Sequence, residues 1–285
     1  MSAPVLDREE YVEQAYFFRI FRDRMAENMP AQEVLSHVHQ EILSTTRLPM
    51  AVEFLATDIK HTGLLASGFE RLTHYFSPFQ AFVVRQAEED KIKLSMDTAM
   101  LILEREAAYR AGQPTKPGLF VYQFEAICRN RMGYFDGLTA MTKETFFDAD
   151  WKGYLDTIRK ALGTVDFADL IFFRSETAVN DMRRRDPKFV PNVPALFGDK
   201  EGRIAKASHG RDPLYFFAAM QRQLGYPEVP RPRARDETAT KMEMMTTKVR
   251  EMEARLRLLE SEARGGPIDW NKIAKPDLLK DEGEA

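Results

Sequence analysis

The chain has 285 residues, 44% of them hydrophobic and 11% aromatic, and a formal charge of −3, which supplies a sizeable core and excludes an intrinsically disordered protein. Its one cysteine, Cys128, excludes an intramolecular disulfide and a cysteine-based zinc site, and fits a reducing compartment. Val and Ile are sparse beside Leu, Met and Ala, and no stretch alternates apolar and polar residues for long, so the expected fold is all-α: a multi-helix globular body with a C-terminal coiled-coil helix.

The first helix is predicted over 7–28, with Asp7 and Glu10 as a capping box and Tyr11, Ala15, Phe18, Phe21 and Met25 on one buried stripe. A second, over 30–44, buries Val34, Leu35, Val38 and Ile42, and a third, over 49–62, stops at Gly63. Residues 64–76 read as irregular. Ser77, Pro78 and Gln80 then spell a helix start, and the pattern runs on to Gly112. Unbroken, that helix spans about 50 Å, with the charged EEDKIK at 88–93 as a kink or a bared middle. Further helices are expected over 118–132, 136–146, 149–162 and 164–185.

Residues 186–212 are rich in proline and glycine and are expected to be irregular. Asp212 and Pro213 open a last short helix of the body, closed by Gly225. The expected organisation is an aromatic-rich helical domain over 1–226, a stiff basic proline-rich linker over 227–235, the coiled-coil helix over 236–264 and a tail over 265–285. In that tail, Trp270 and Ile268 read as a plug docked on the body, with a short recognition motif as the alternative.

The most specific pattern lies in KMEMMTTKVREMEARLRLLESEA, 241–263. Met242, Met245, Val249, Met252, Leu256, Leu259 and Ala263 occupy alternate a and d positions of a heptad without a skip. So narrow a stripe is the seam of a coiled coil, whereas a helix packed on a globular core shows a broader apolar face. Lys248 and Arg255 stand at g, Glu253 and Glu260 at the following e. In a parallel pair these become Lys248–Glu253 and Arg255–Glu260 between chains, while an antiparallel pair sets like charges together. The expected partner is therefore a second copy in a parallel homodimer, with another protein as the alternative.

Candidate chemistry is thin. Neither GxxxxGK[ST] nor GxGxxG occurs, nor GxSxG or HExxH, and Cys128 sits in the apolar run LFVYQFEAIC as a small hydrophobe. The reading favours a non-enzymatic protein without a cofactor. One constellation could bind a transition metal: if the second and third helices are antiparallel, Glu33 and His37 fall opposite Asp58 and His61. A salt-bridged structural pair is the alternative use of these side chains. His39, His74 and His209 lack acid or cysteine neighbours at ligand spacing and receive no role.

Residues 183–235 hold 12 basic and 5 acidic side chains within an otherwise acidic chain. Arg183, Arg184, Arg185, Arg203, Lys206, Arg231, Arg233 and Arg235 could track a nucleic-acid backbone, with Tyr215 or Phe216 for stacking. The overall acidity argues that they pair instead with acids of the protein itself. The N-terminus lacks a basic and then apolar leader, and no apolar run reaches membrane-spanning length, so the expectation is a cytoplasmic protein without membrane contact.

Overall fold

The computed structural model describes residues 6–43, 45–89 and 94–231, and beyond them Met245, Thr246, Lys248 and Met252. The chain divides into two units, 1–232 and 233–285. Among the described residues there are thirteen helices and no strand, only two isolated bridges, so the all-α expectation holds. None of these helices is long and apolar enough to cross a membrane.

The first four helices are α1 (Arg8–Ala26), α2 (Ala31–Glu41), α3 (Leu48–Thr62) and α4 (Leu65–Arg71). The expected stripe of α1 is buried or half-buried, but the capping box is not made: Asp7 accepts no side-chain cap bond. Glu10 turns inward instead, where it accepts from the Arg47 backbone N–H at 3.0 Å and the Tyr75 hydroxyl at 2.9 Å. Leu43 N–H bonds Glu13 at 3.2 Å, so α1 fastens the loop leading into α3 with two carboxylates. α3 ends where expected, because Gly63, at φ 74°, adopts the left-handed conformation that closes a helix.

Helix α4 replaces part of the predicted irregular stretch. Its own N-cap, Leu64, has no side-chain oxygen, and the cap comes from Glu88, far along the chain, which accepts from Leu65 N–H at 2.6 Å and Ala66 N–H at 2.8 Å. A helix start supplied from another element leaves no mark in the local sequence.

The long helix predicted over 77–112 is two helices, α5 (Pro78–Glu88) and α6 (Met96–Ala111). α5 opens with the full Ser77–Gln80 capping box, as read from the sequence. At Glu89 the backbone turns extended, and Ser95 caps a new helix by accepting from Thr98 N–H at 3.2 Å. The two helices end and begin on either side of the charged stretch, of which 90–93 lie outside the described residues, and α5 and α6 pack against one another. α6 in turn makes the most extensive helix-to-helix contact of the body, with α1, where Arg22 also meets Glu104 at 2.6 Å.

Helices α7 (Lys116–Arg129), α8 (Tyr134–Lys143) and α9 (Ala149–Ala161) follow as expected. Every residue from Gly118 to Ile127 is buried, which makes α7 the central helix of the body. Phe120 on it lies 5.4 Å from Trp151, 5.7 Å from Tyr154 and 6.0 Å from Phe197, ring centre to ring centre, an aromatic cluster drawn from distant parts of the chain.

The single helix predicted over 164–185 is also split, into α10 (Phe167–Phe173) and α11 (Glu176–Arg185). The Arg174 carbonyl accepts from Leu196 and Phe197 N–H groups at 2.8 and 3.1 Å, and Ser175 caps the next helix. Nor is 186–212 wholly irregular: α12 (Asp199–Ser208) forms inside it. Its first turn carries Asp199 and Glu201 and its last turn Lys206, charges that suit the helix dipole. Gly202 lets it approach α10–α11, since a Cβ there would strike the Ser175 and Thr177 hydroxyls. The last helix, α13 (Pro213–Leu224), has the predicted Asp212 cap and left-handed Gly225.

Candidate functional site

The four side chains proposed as a metal centre do not come together. Glu33 and His37 lie one residue off the buried Val34–Val38 row, and the 100° step between neighbours on a helix leaves them in solvent. His61 is exposed in the last turn of α3. Asp58 is buried and forms an ion pair with Arg71 of α4, whose guanidinium covers the Phe54 ring at 5.1 Å. Among the described residues no group of three or more His, Cys, Asp or Glu side chains could hold a metal. α2 packs against α3, and it is aliphatic side chains such as Val34, Val38 and Val52 that are buried, while Glu33, His37 and His61 stay exposed.

The basic segment is partly neutralised within the fold. Lys206 and Arg184 meet Asp181 at 2.6 and 3.5 Å, and Arg203 meets Asp199 at 2.5 Å. The Lys206 hydrogen bond chiefly holds the Asp181 carboxyl below its ordinary range. Arg183, Arg185 and Arg231 are exposed, and Arg233 and Arg235 lie outside the described residues. Of the two rings named for stacking, Tyr215 is exposed and Phe216 is buried in the core. His209, expected to lack a partner, bonds Asp169 at 2.8 Å.

Of the coiled-coil seam, Met245 and Met252 are described, with Lys248 at a flanking position. All three are helical, and the two methionines are 69% and 59% exposed. Met242, Val249, Leu256, Leu259 and Ala263, together with Glu253, Arg255 and Glu260, lie outside the described residues, as do Ile268 and Trp270.

The proposed linker starts as a strap on the body. Tyr226, Val229 and Pro230 are buried. The Tyr226 hydroxyl donates to Glu125 at 2.7 Å, Asn130 donates to the Pro230 carbonyl at 3.2 Å, and Arg105 donates to the Glu228 carbonyl. Composition alone suggested a free spacer, but carbonyls on a proline-rich stretch remain good acceptors and here they are used.

A cluster that the sequence reading passed over gathers charged groups in the interior of the body. Arg110 of α6 donates through Nη2 to Glu106 and to both oxygens of Glu144, each at 3.0 Å. Gln123 of α7 adds a bond to Glu106 at 2.7 Å, and Tyr11 of α1 faces the guanidinium at 5.9 Å. Glu106, Glu144, Gln123 and Arg110 are all buried. Burial raises the Glu106 pKa, the Arg110 charge opposes that shift and the Glu144 charge adds to it, with a rise as the outcome. Burial alone would lower the Arg110 pKa, but the two carboxylates outweigh it and the guanidinium stays charged.

With one cation between two acids, a proton on Glu106 makes the cluster neutral. Beside it lies a cavity of about 20 Å³ lined by Tyr11, Tyr75, Gln80, Arg110 and Glu144, the room of a single water. The arrangement can store a proton and join α1, α6, α7 and the end of α8. The available sequence signal was the placement of Glu106 and Arg110 on the same face as Ala99, Ile102, Leu103 and Ala107, where solvent-facing charges do not belong.

Compared with protein-family models, with characterised proteins and with solved structures, the chain matches none.

Proposed function

We propose that this chain is a cytoplasmic helical interaction protein that self-associates through a parallel coiled coil over 236–264. The observation that carries this reading is the pair Met245 and Met252, one heptad apart, both helical and both largely in water within a single copy. Apolar side chains repeated on one line of a helix call for a second surface, and the unbroken a/d spacing from Met242 to Ala263 gives that surface the form of a matching helix. The g and e charges, Lys248 with Glu253 and Arg255 with Glu260, favour the parallel arrangement. On this reading the body is what the coiled coil brings together in two copies, and the strap over 226–230 supplies a firm edge to that body.

Sedimentation equilibrium of the full chain tests the proposal. A dimer is expected, and a Met245→Lys/Met252→Lys variant is expected to sediment as a monomer with unchanged helicity in the body. Orientation is read from Met242→Cys in a Cys128→Ser background: parallel helices in register give an interchain disulfide under mild oxidation, whereas an antiparallel pair separates the two thiols by the length of the seam. A wild-type chain that remains monomeric at micromolar concentration ends the proposal.

A further inference from the structure

A cleft of about 430 Å³ opens where the C-terminal half of α7, the start of α8, the 162–165 turn and the starts of α10 and α13 meet. Its floor is aromatic: Phe124 and Phe167 stack 3.9 Å apart and within 10° of parallel, and Phe217 lies beside both. Val165 and Leu214 on its wall are exposed, apolar surface without a cover among the described residues. A volume of this size falls in the range of about 300–1,000 Å³ usual for small-molecule sites, which are mostly apolar with a few placed polar groups.

Those polar groups are Cys128, Tyr134, Arg129 and Asp212. Burial pushes the Cys128 thiol up to about 12, so at neutral pH it is a protonated, unreactive part of the wall. Asp212 is exposed, and one of its oxygens caps α13 by accepting from Leu214 N–H at 2.9 Å. Arg129 differs from the others. Its side chain is only 13% exposed, and among the described residues its one hydrogen bond is from Nε to Glu125 at 2.5 Å. The other Glu125 oxygen is taken by Tyr226. The two Nη groups therefore have no acceptor among the described residues, on a side chain that is otherwise largely buried. Donors without a protein acceptor beside apolar surface favour an anionic one, and a guanidinium edge matches a carboxylate in a two-bond geometry.

We propose that this cleft binds a small amphipathic monocarboxylate, its aliphatic or aromatic body lying on Phe124, Phe167 and Phe217 and its carboxylate on the Arg129 Nη groups. The site is independent of the self-association proposed above, and the two are tested apart.

Titration calorimetry of the full chain with octanoate, and with octanol as its uncharged twin, provides the test. Octanoate is expected to bind at one site per chain, roughly ten-fold or more tighter than octanol, the margin of a charge-assisted hydrogen bond. Arg129→Gln is expected to erase that preference while octanol binds as before, Arg129→Lys to keep part of it, and Val165→Trp, which fills the cleft from its exposed wall, to block both ligands. The seam variant Met245→Lys/Met252→Lys is expected to bind octanoate as wild type does. Equal binding of acid and alcohol by the wild-type chain, a preference that survives Arg129→Gln, no octanoate binding at all, or binding unaltered by Val165→Trp each overturns the proposal. Circular dichroism of every variant shows that the body is still folded, and Val165→Trp reports on the cleft without touching the Arg129–Glu125–Tyr226 contacts.

Discussion

Glu10 and Glu106 are both buried carboxylates that face an arginine, and they differ in where that arginine ends. Arg47, beside Glu10, has a side chain 47% exposed, so water completes its solvation. Arg110, beside Glu106, is 4% exposed and shared with a second acid, Glu144. The first cluster is a tertiary cap: Glu10 serves a backbone N–H and a tyrosine hydroxyl at the mouth of a loop. The second is a sealed cluster with more acid than base, whose charge balance needs a proton. The same pair of residue types thus yields a cheap local fastening at the edge and a costly, highly coupled one in the interior.

The largest expected effect follows from removing the shared cation. Arg110→Met leaves Glu106 and Glu144 buried without a counter-charge, and urea unfolding at neutral pH is expected to show a loss of about 3–5 kcal/mol. A loss below about 1 kcal/mol would mean that water reaches the cluster and that its contrast with the Glu10 site is wrong.

A smaller effect is expected at the edge. Glu10→Ala leaves the Arg47 N–H and the Tyr75 hydroxyl to find water, which costs about 1–3 kcal/mol by the same measurement. Since Arg47 already reaches solvent, no buried charge is stranded.

The finest distinction is in pH. The Glu106 pKa is raised above the ordinary value of 4.5, so between that value and the folded-state one the native chain holds more protons than the unfolded chain. The contribution of Glu106 is therefore fully present below 4.5 and is lost as pH rises through the folded-state value. Glu106→Gln, which is permanently neutral, is expected to remove a fall of up to about 1.4 kcal/mol per pH unit from the wild-type stability curve. Identical slopes in the two proteins would show that Glu106 titrates as an ordinary carboxylate.

How far the sequence could be read depended on where each helix finds its cap. Ser77 with Gln80, Asp212 with Pro213, and the glycines at 63 and 225 are signals within a turn of the helix end they mark, and all were legible. Asp7 with Glu10 shows the limit: the spacing matched a capping box, but the backbone N–H of Arg47, thirty-seven residues away, took Glu10 instead. α4 depends on Glu88, and the division between α10 and α11 depends on Leu196 and Phe197, so neither could be found from its own residues. The same reason scattered the proposed metal ligands. Helical spacing placed Glu33 and His37 on one row, but the packing of α2 against α3 was decided by their aliphatic neighbours.

By itself the sequence determined an all-helical body rich in aromatic residues, most of its locally capped helix starts and glycine stops, and a heptad stripe near the end, because these depend on backbone hydrogen-bonding needs and side-chain periodicity within a few residues. Only the tertiary structure decided that Glu106, Arg110, Gln123 and Glu144 meet in one buried cluster, that Arg129 lines an apolar cleft, and that the proline-rich stretch after Tyr226 lies down on the body. Each depends on groups from separate helices arriving at the same place, and the free energy of such a meeting is set by burial, which no single stretch of chain specifies.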